Sequence, residues 1–135
     1  MTEQELLAQP ASAYMNEQQQ VYFRELLLSQ REALGLRIDQ DFTDLRNHEP
    51  TSDPADTGSV EEQRHWQLRV LEREKKLLDK IDEALDRLAR GEYGWCEETG
   101  EPIGLRRLLL RPTASLSVEA KERQEQRERH LRDDH

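Results

Sequence analysis

The chain has 135 residues, 34% hydrophobic and 36% charged, with a formal net charge of −9 and a mean hydropathy of −1.02. So few apolar residues exclude a thick globular core but suffice for thin seams between helices, each contributing one stripe. The acidic balance opposes direct DNA binding, which needs a basic patch, and points to a protein partner instead.

The single Cys96 excludes an intramolecular disulfide. The opening MTEQELLAQP lacks the basic-then-apolar order of a signal peptide. No apolar run approaches the ~18 residues of a membrane span. The expectation is a soluble, cytoplasmic monomer with no membrane contact.

In chain order, Thr2 followed by Glu5 resembles a capping box and predicts a short helix through about Ala8, which Pro10 ends. Residues 1–15 then read as an N-terminal extension packing on a base. Asn16 with Gln19 is a helix-start signal. Phe23, Leu27, Leu34, Ile38, Phe42 and Leu45 recur near a helical period and predict one apolar face. Gly35 costs this helix roughly 1 kcal/mol relative to Ala. The helix should stop before Pro50.

The next helix has two possible starts. Asp53 could cap it with Pro54 at the first helical position, or Ser59 could cap it with Glu62 after a loose turn at 53–58. The second is the expectation. Leu71, Leu78, Ile81, Leu85 and Leu88 then form a heptad seam. Glu72–Lys76, Glu83–Arg87 and Asp86–Arg90 read as i,i+4 pairs on the outer face, and Gly91 as the C-terminal cap. Two helices of ~30 residues joined by a short turn must pack antiparallel, giving a hairpin on the order of 45 Å long. Residues 16–90 are therefore read as a coiled-coil hairpin with its tip at 47–59.

Residues 91–135 change character. Glycines, prolines and a short apolar run predict a compact module of turns, with a strand over 104–110. Thr113 or Ser117 then caps a C-terminal helix bearing the pairs Glu119–Arg123, Glu125–Arg129 and Glu128–Arg132. The fold class expected is mostly α, a long antiparallel hairpin on a small finger-like base with a C-terminal helix. On residue type alone, Asp53 and Asp56 read as caps and loop carboxylates, and Lys80, Arg111 and Lys121 as surface charges. Cys96 reads as a half-buried structural thiol, and His48, His65, His130 and His135 show no ligand spacing. Trp66 lies off the seam and is free to pack on the extension or to meet a partner.

The run GEYGWCEETGEPIGLRRLLLRPTASLSVEAKERQE resembles the zinc-finger module of the DksA/TraR family of RNA-polymerase-binding factors. The stretch DPADTG resembles the family's D-P-x-D-x-A tip, and the segments YMNEQQ and EREKKLLDKI also match, so the resemblance covers roughly residues 14–132. It implies a bacterial transcription regulator, not an enzyme, that enters the secondary channel of RNA polymerase. With ppGpp, such factors destabilise promoter open complexes in the stringent response. They repress ribosomal RNA promoters and activate some amino-acid promoters. By resemblance, Asp53 and Asp56 are the coiled-coil tip, with Gly58 where the family usually has Ala. Arg69 and Arg73 match polymerase-contacting positions, and Leu77, Lys80, Arg111 and Lys121 match positions lining the ppGpp site.

The family finger holds zinc through C-x2-C-x17-C-x2-C. Here those degenerate zinc-site positions are Cys96, Thr99, Ser117 and Ala120. Structural zinc takes four thiolate or imidazole ligands, so no metal is expected, as in zinc-independent DksA paralogues. Structural zinc is worth ~10–16 kcal/mol in finger peptides. Apolar contacts from Trp95, Ile103, Leu105, Leu108 and Leu110, with capping by Ser117, are the expected replacement. A competing function is a Gre-like transcript-cleavage factor, whose acidic tip helps position a metal ion in the polymerase. A passive coiled-coil adaptor is a third.

Overall fold

The computed structural model describes residues 1–47 and 54–133, of which 54–57 by backbone alone. It is mostly helical, and an isolated bridge between Trp95 and Pro102 is its only β pairing among the described residues. Five α-helices follow in order: α1 (Glu3–Ala8), α2 (Glu17–Arg46), α3 (Pro54–Ala89), α4 (Leu105–Leu110) and α5 (Val118–Asp133). Among the described residues, no helix is long and apolar enough to cross a membrane. The chain divides into two units, a hairpin unit of Leu28–Asp82 and a base unit of Met1–Leu27 with Glu83–His135.

In the hairpin unit, α2 and α3 run antiparallel. Arg31 of α2 pairs with Asp82 of α3 at 2.6 Å, while Asp41, further along α2, meets Glu74, earlier on α3. Leu34, Leu71 and Ile81 are buried along the seam, as the apolar spacing predicts. The expected face of α2 weakens toward its C-terminus, where Ile38 and Leu45 are half-buried and Phe42 is exposed. Helix α3 begins at Pro54 rather than Ser59, which corrects the loose turn expected at 53–58. Proline fits the first helical turn because its missing N–H needs no intrahelical partner there. The cap from Asp53 and the stop before Pro50 lie outside the described residues.

In the base unit, Thr2 caps α1 by accepting the N–H of Glu5 at 3.1 Å. Asn16 caps α2 by accepting the N–H of Gln19 at 2.9 Å. Gln19 is wholly buried, and its amide oxygen accepts the N–H of Met15 at 2.8 Å while its NH2 donates to Gln9 at 2.7 Å. The carbonyl of Met15 accepts from Gln20 at 2.7 Å. Both backbone groups of Met15 are thus held, which sustains its left-handed φ of 55°. Helix α3 ends in a Schellman motif on Gly91 (φ 75°): Glu92 N–H bonds the Arg87 carbonyl at 2.9 Å and Gly91 N–H the Leu88 carbonyl at 3.2 Å.

The strand expected over 104–110 is instead α4. Its sequence LRRLLL has strong helix formers and no β-branched residue, and Leu108 is its buried contact. Two of the expected charge pairs are also replaced. Arg87 is not an outer-face partner of Glu83; it is buried, donates to the carbonyls of Trp95 at 2.6 Å and Glu92 at 3.3 Å, and pairs with Glu97 at 3.4 Å. Arg123 pairs with Glu98 at 3.5 Å rather than with Glu119. The Asp86–Arg90 pair forms as expected, at 3.4 Å.

Candidate functional site

The four finger positions converge in the base. Cys96 is buried, and its sulfur takes hydrogen bonds from the side chains and backbone N–H groups of both Thr99 and Ser117. Burial pushes the thiol up, but these donors outweigh it and bring it down to about 6. Ser117 Oγ accepts the N–H of Ala120 at 3.2 Å, the expected cap of α5, and Ala120 is wholly buried. One thiol, two hydroxyls and a methyl do not fit structural zinc, which requires four soft or imidazole donors. Nor does any group of three His, Cys, Asp or Glu among the described residues form a metal cluster.

Other contacts hold this loop together. Cys96 N–H bonds the Glu101 carbonyl at 2.8 Å, Ile103 N–H the Gly94 carbonyl at 2.8 Å, and Glu97 N–H the Ser115 carbonyl at 2.9 Å. Tyr93 is buried against Phe23 and donates its hydroxyl to the Pro112 carbonyl at 2.7 Å. The Tyr14 hydroxyl donates to the Gly94 carbonyl and accepts the N–H of Gly104 at 3.0 Å, while its ring meets Trp95 edge-on at 5.2 Å. Of the apolar residues expected to stand in for zinc, Ile103 and Leu108 are buried and Leu105 is half-buried. Trp95 is partly exposed, and Leu110 is 85% exposed and contributes nothing to the core. On a six-residue helix, Leu110 falls on the face opposite Leu108.

In the hairpin unit, a groove of about 610 Å³ opens between α2 and α3, lined by Leu34, Arg37, Val70, Arg73, Lys76 and Lys80, with Glu74 and Leu77. Four cations gather in this acidic chain: the family resemblance singled out Arg73 and Lys80, whereas Lys76 was expected on the outer face beside Glu72 and Arg37 was not named. Arg37 was missed and Lys76 was misplaced because nothing in one helix's spacing says which residues of the other lie opposite. The Glu74 carboxyl is held above the usual range, first by burial, then by its hydrogen bond to Asp41 and that residue's charge; Arg37 and Arg73 partly offset this.

Trp66, 56% exposed, lies beneath two guanidiniums: Arg69 and Arg73 stand 5.9 and 5.8 Å from its ring centroid. Of the positions matched to a ppGpp site, Leu77 and Lys80 are exposed on α3 in the hairpin unit. Arg111, exposed after α4, and Lys121, donating to Gln124 at 3.1 Å on α5, belong to the base unit. At the tip, Gly58 is exposed within α3. Asp53 lies outside the described residues, as do His48, His135 and the side chain of Asp56.

Two families match along the chain: "DnaK suppressor protein DksA, N-terminal domain" over residues 19–88, and "Prokaryotic dksA/traR C4-type zinc finger" over residues 91–126. The RNA polymerase-binding transcription factor DksA of Caulobacter vibrioides is 48% identical over 122 residues, covering 90% of this chain and 86% of the relative. Its namesake from Escherichia coli K12 is 37% identical over 123 residues, covering 90% and 82%. Among solved structures, the transcription factor DksA2 from Pseudomonas aeruginosa superposes with a TM-score of 0.86 at 73% identity, over 96% of this chain and all of that one. The chain belongs to the DksA family of RNA polymerase-binding transcription factors.

Proposed function

We propose that this protein acts inside the secondary channel of bacterial RNA polymerase, without catalysis of its own. The observation that carries the reading is the 48% identity over 122 residues to a polymerase-binding transcription factor. In this reading Asp53 and Asp56 form the working tip, Arg69 and Arg73 meet the polymerase, and Gly58 loosens the backbone beside the tip. The protein shortens the life of promoter open complexes, repressing ribosomal RNA promoters and activating some amino-acid promoters. It does so as a cytoplasmic monomer that makes no direct contact with DNA.

Leu77, Lys80, Arg111 and Lys121 are assigned to ppGpp, whose clustered phosphates suit two ammonium groups and a guanidinium. The finger works without zinc, since hydroxyls and a methyl hold the ligand positions. Transcription in vitro from a ribosomal RNA promoter with ppGpp tests the reading. Wild type should repress and D53N/D56N should not; equal repression by both contradicts it. Rapid RNA cleavage when the protein meets a backtracked complex would favour a transcript-cleavage factor instead.

A further inference from the structure

The indole of Trp66 is too exposed for a core residue, and it lies off the buried seam of Leu71 and Ile81. Positions 66, 69 and 73 are three and seven residues apart, so they share one face of α3. Both arginines hold their guanidinium carbons over the one ring, at 5.9 and 5.8 Å from its centroid. Neither makes an ion pair with a carboxylate among the described residues.

We infer that Trp66 is a positioning residue that holds Arg69 and Arg73 as one preformed contact for carboxylates on the surface of RNA polymerase. This rests on the polymerase reading above and adds a residue and a chemistry to it. A cation over an exposed indole gains little by itself. The larger effect is on binding, because a free arginine gives up rotamer freedom when it docks, and contact with the ring removes part of that cost beforehand. A contact between charge and π face needs no N–H donor, so the N–H forks stay available for carboxylate oxygens. The occupant is acidic by charge complementarity, since two guanidiniums that make no ion pair among the described residues share one helical face. Protein carboxylates are favoured over nucleic-acid phosphates because the chain as a whole carries −9.

The test is displacement of labelled wild-type protein from core RNA polymerase, free of DNA, by unlabelled variants whose helix content and melting are checked by circular dichroism. W66F, which keeps a ring, should bind within ~2-fold of wild type, and W66L, which keeps only an apolar contact, should bind ~5-fold more weakly. W66L/R69A/R73A should bind no more weakly than R69A/R73A, because the indole acts through the arginines. W66L binding like wild type, or the triple variant losing a further ~5-fold, would overturn the inference. So would binding of a short DNA duplex by the free protein that W66L/R69A/R73A abolishes, since the occupant would then be phosphate. Failure of the wild type to bind core polymerase is a separate outcome, which defeats the polymerase reading itself.

Discussion

The Tyr14 hydroxyl accepts the backbone N–H of Gly104 at 3.0 Å, joining residues 90 positions apart in sequence. The same hydroxyl donates to the Gly94 carbonyl, so one phenol bridges both flanks of the loop that carries Cys96. With no four-thiolate site there, such links are what define the loop. Y14F keeps the ring against Trp95 and leaves the Gly94 carbonyl its bond from Ile103, but it strands the N–H of Gly104 and should cost about 1–3 kcal/mol in urea denaturation. A loss under about 0.3 kcal/mol would show that the bridge contributes little.

The N-terminal segment presses on the same loop through Met15. A Cβ added at Gly94 would stand 2.8 Å from Met15 Cγ and Sδ, and Gly94 sits at φ 91°. G94A therefore combines overpacking with a conformation that alanine resists, and should destabilise by about 2 kcal/mol or more. G94A/M15A should recover the packing share and keep the conformational share. Equal melting of G94A and wild type would contradict this close approach.

Cys96 makes stability depend on pH in a stated direction. Its folded thiol is lowered from 9.0 to about 6, so the thiolate stabilises the fold fully above the unfolded value. That contribution falls as pH drops from about 9 and is gone below about 6. The slope in this window is at most about 1.4 kcal/mol per pH unit. C96A should flatten the slope in denaturation curves taken across the window. A C96A profile parallel to wild type would rule out the thiolate as its source.

Glu74 gives the opposite sign. An acid held above its ordinary value of 4.5 stabilises the fold below that value and loses the contribution as pH rises through the raised one. One of its carboxylate oxygens is buried without a hydrogen-bond partner. E74Q keeps a neutral donor toward Asp41 at every pH, so it should be more stable than wild type at neutral pH by on the order of 1 kcal/mol. The gap should close toward pH ~4. A variant less stable than wild type at neutral pH would mean that the charged carboxylate, through Arg37 and Arg73, dominates instead.

What could be read from the sequence was local. Thr2, Asn16, Ser117 and Gly91 announce their caps because each cap is a bond within a few residues. The heptad leucines place the seam because burial follows the helical period. Residues 104–110 misled because glycine and an apolar run suit a strand as well as a short buried helix. Arg87 was misplaced because charge spacing on a helix cannot report that carbonyls of Glu92 and Trp95 fold back over it. Tyr14 passed unnoticed for the same reason, since its partners lie about 80 and 90 residues away. The degenerate finger positions were legible as letters, but the four donors on Cys96 appear only once loop and helix meet.

The proposed function combines a finger that works without metal with a hairpin that acts on polymerase. Its most direct test is the lifetime of competitor-resistant open complexes at a ribosomal RNA promoter, using protein stripped with chelator and shown by elemental analysis to lack zinc. The expected lifetime is several-fold shorter with this protein and ppGpp than without it, with no further change when zinc is restored. An unchanged lifetime with the stripped protein, recovered only on adding zinc, would contradict the proposed function.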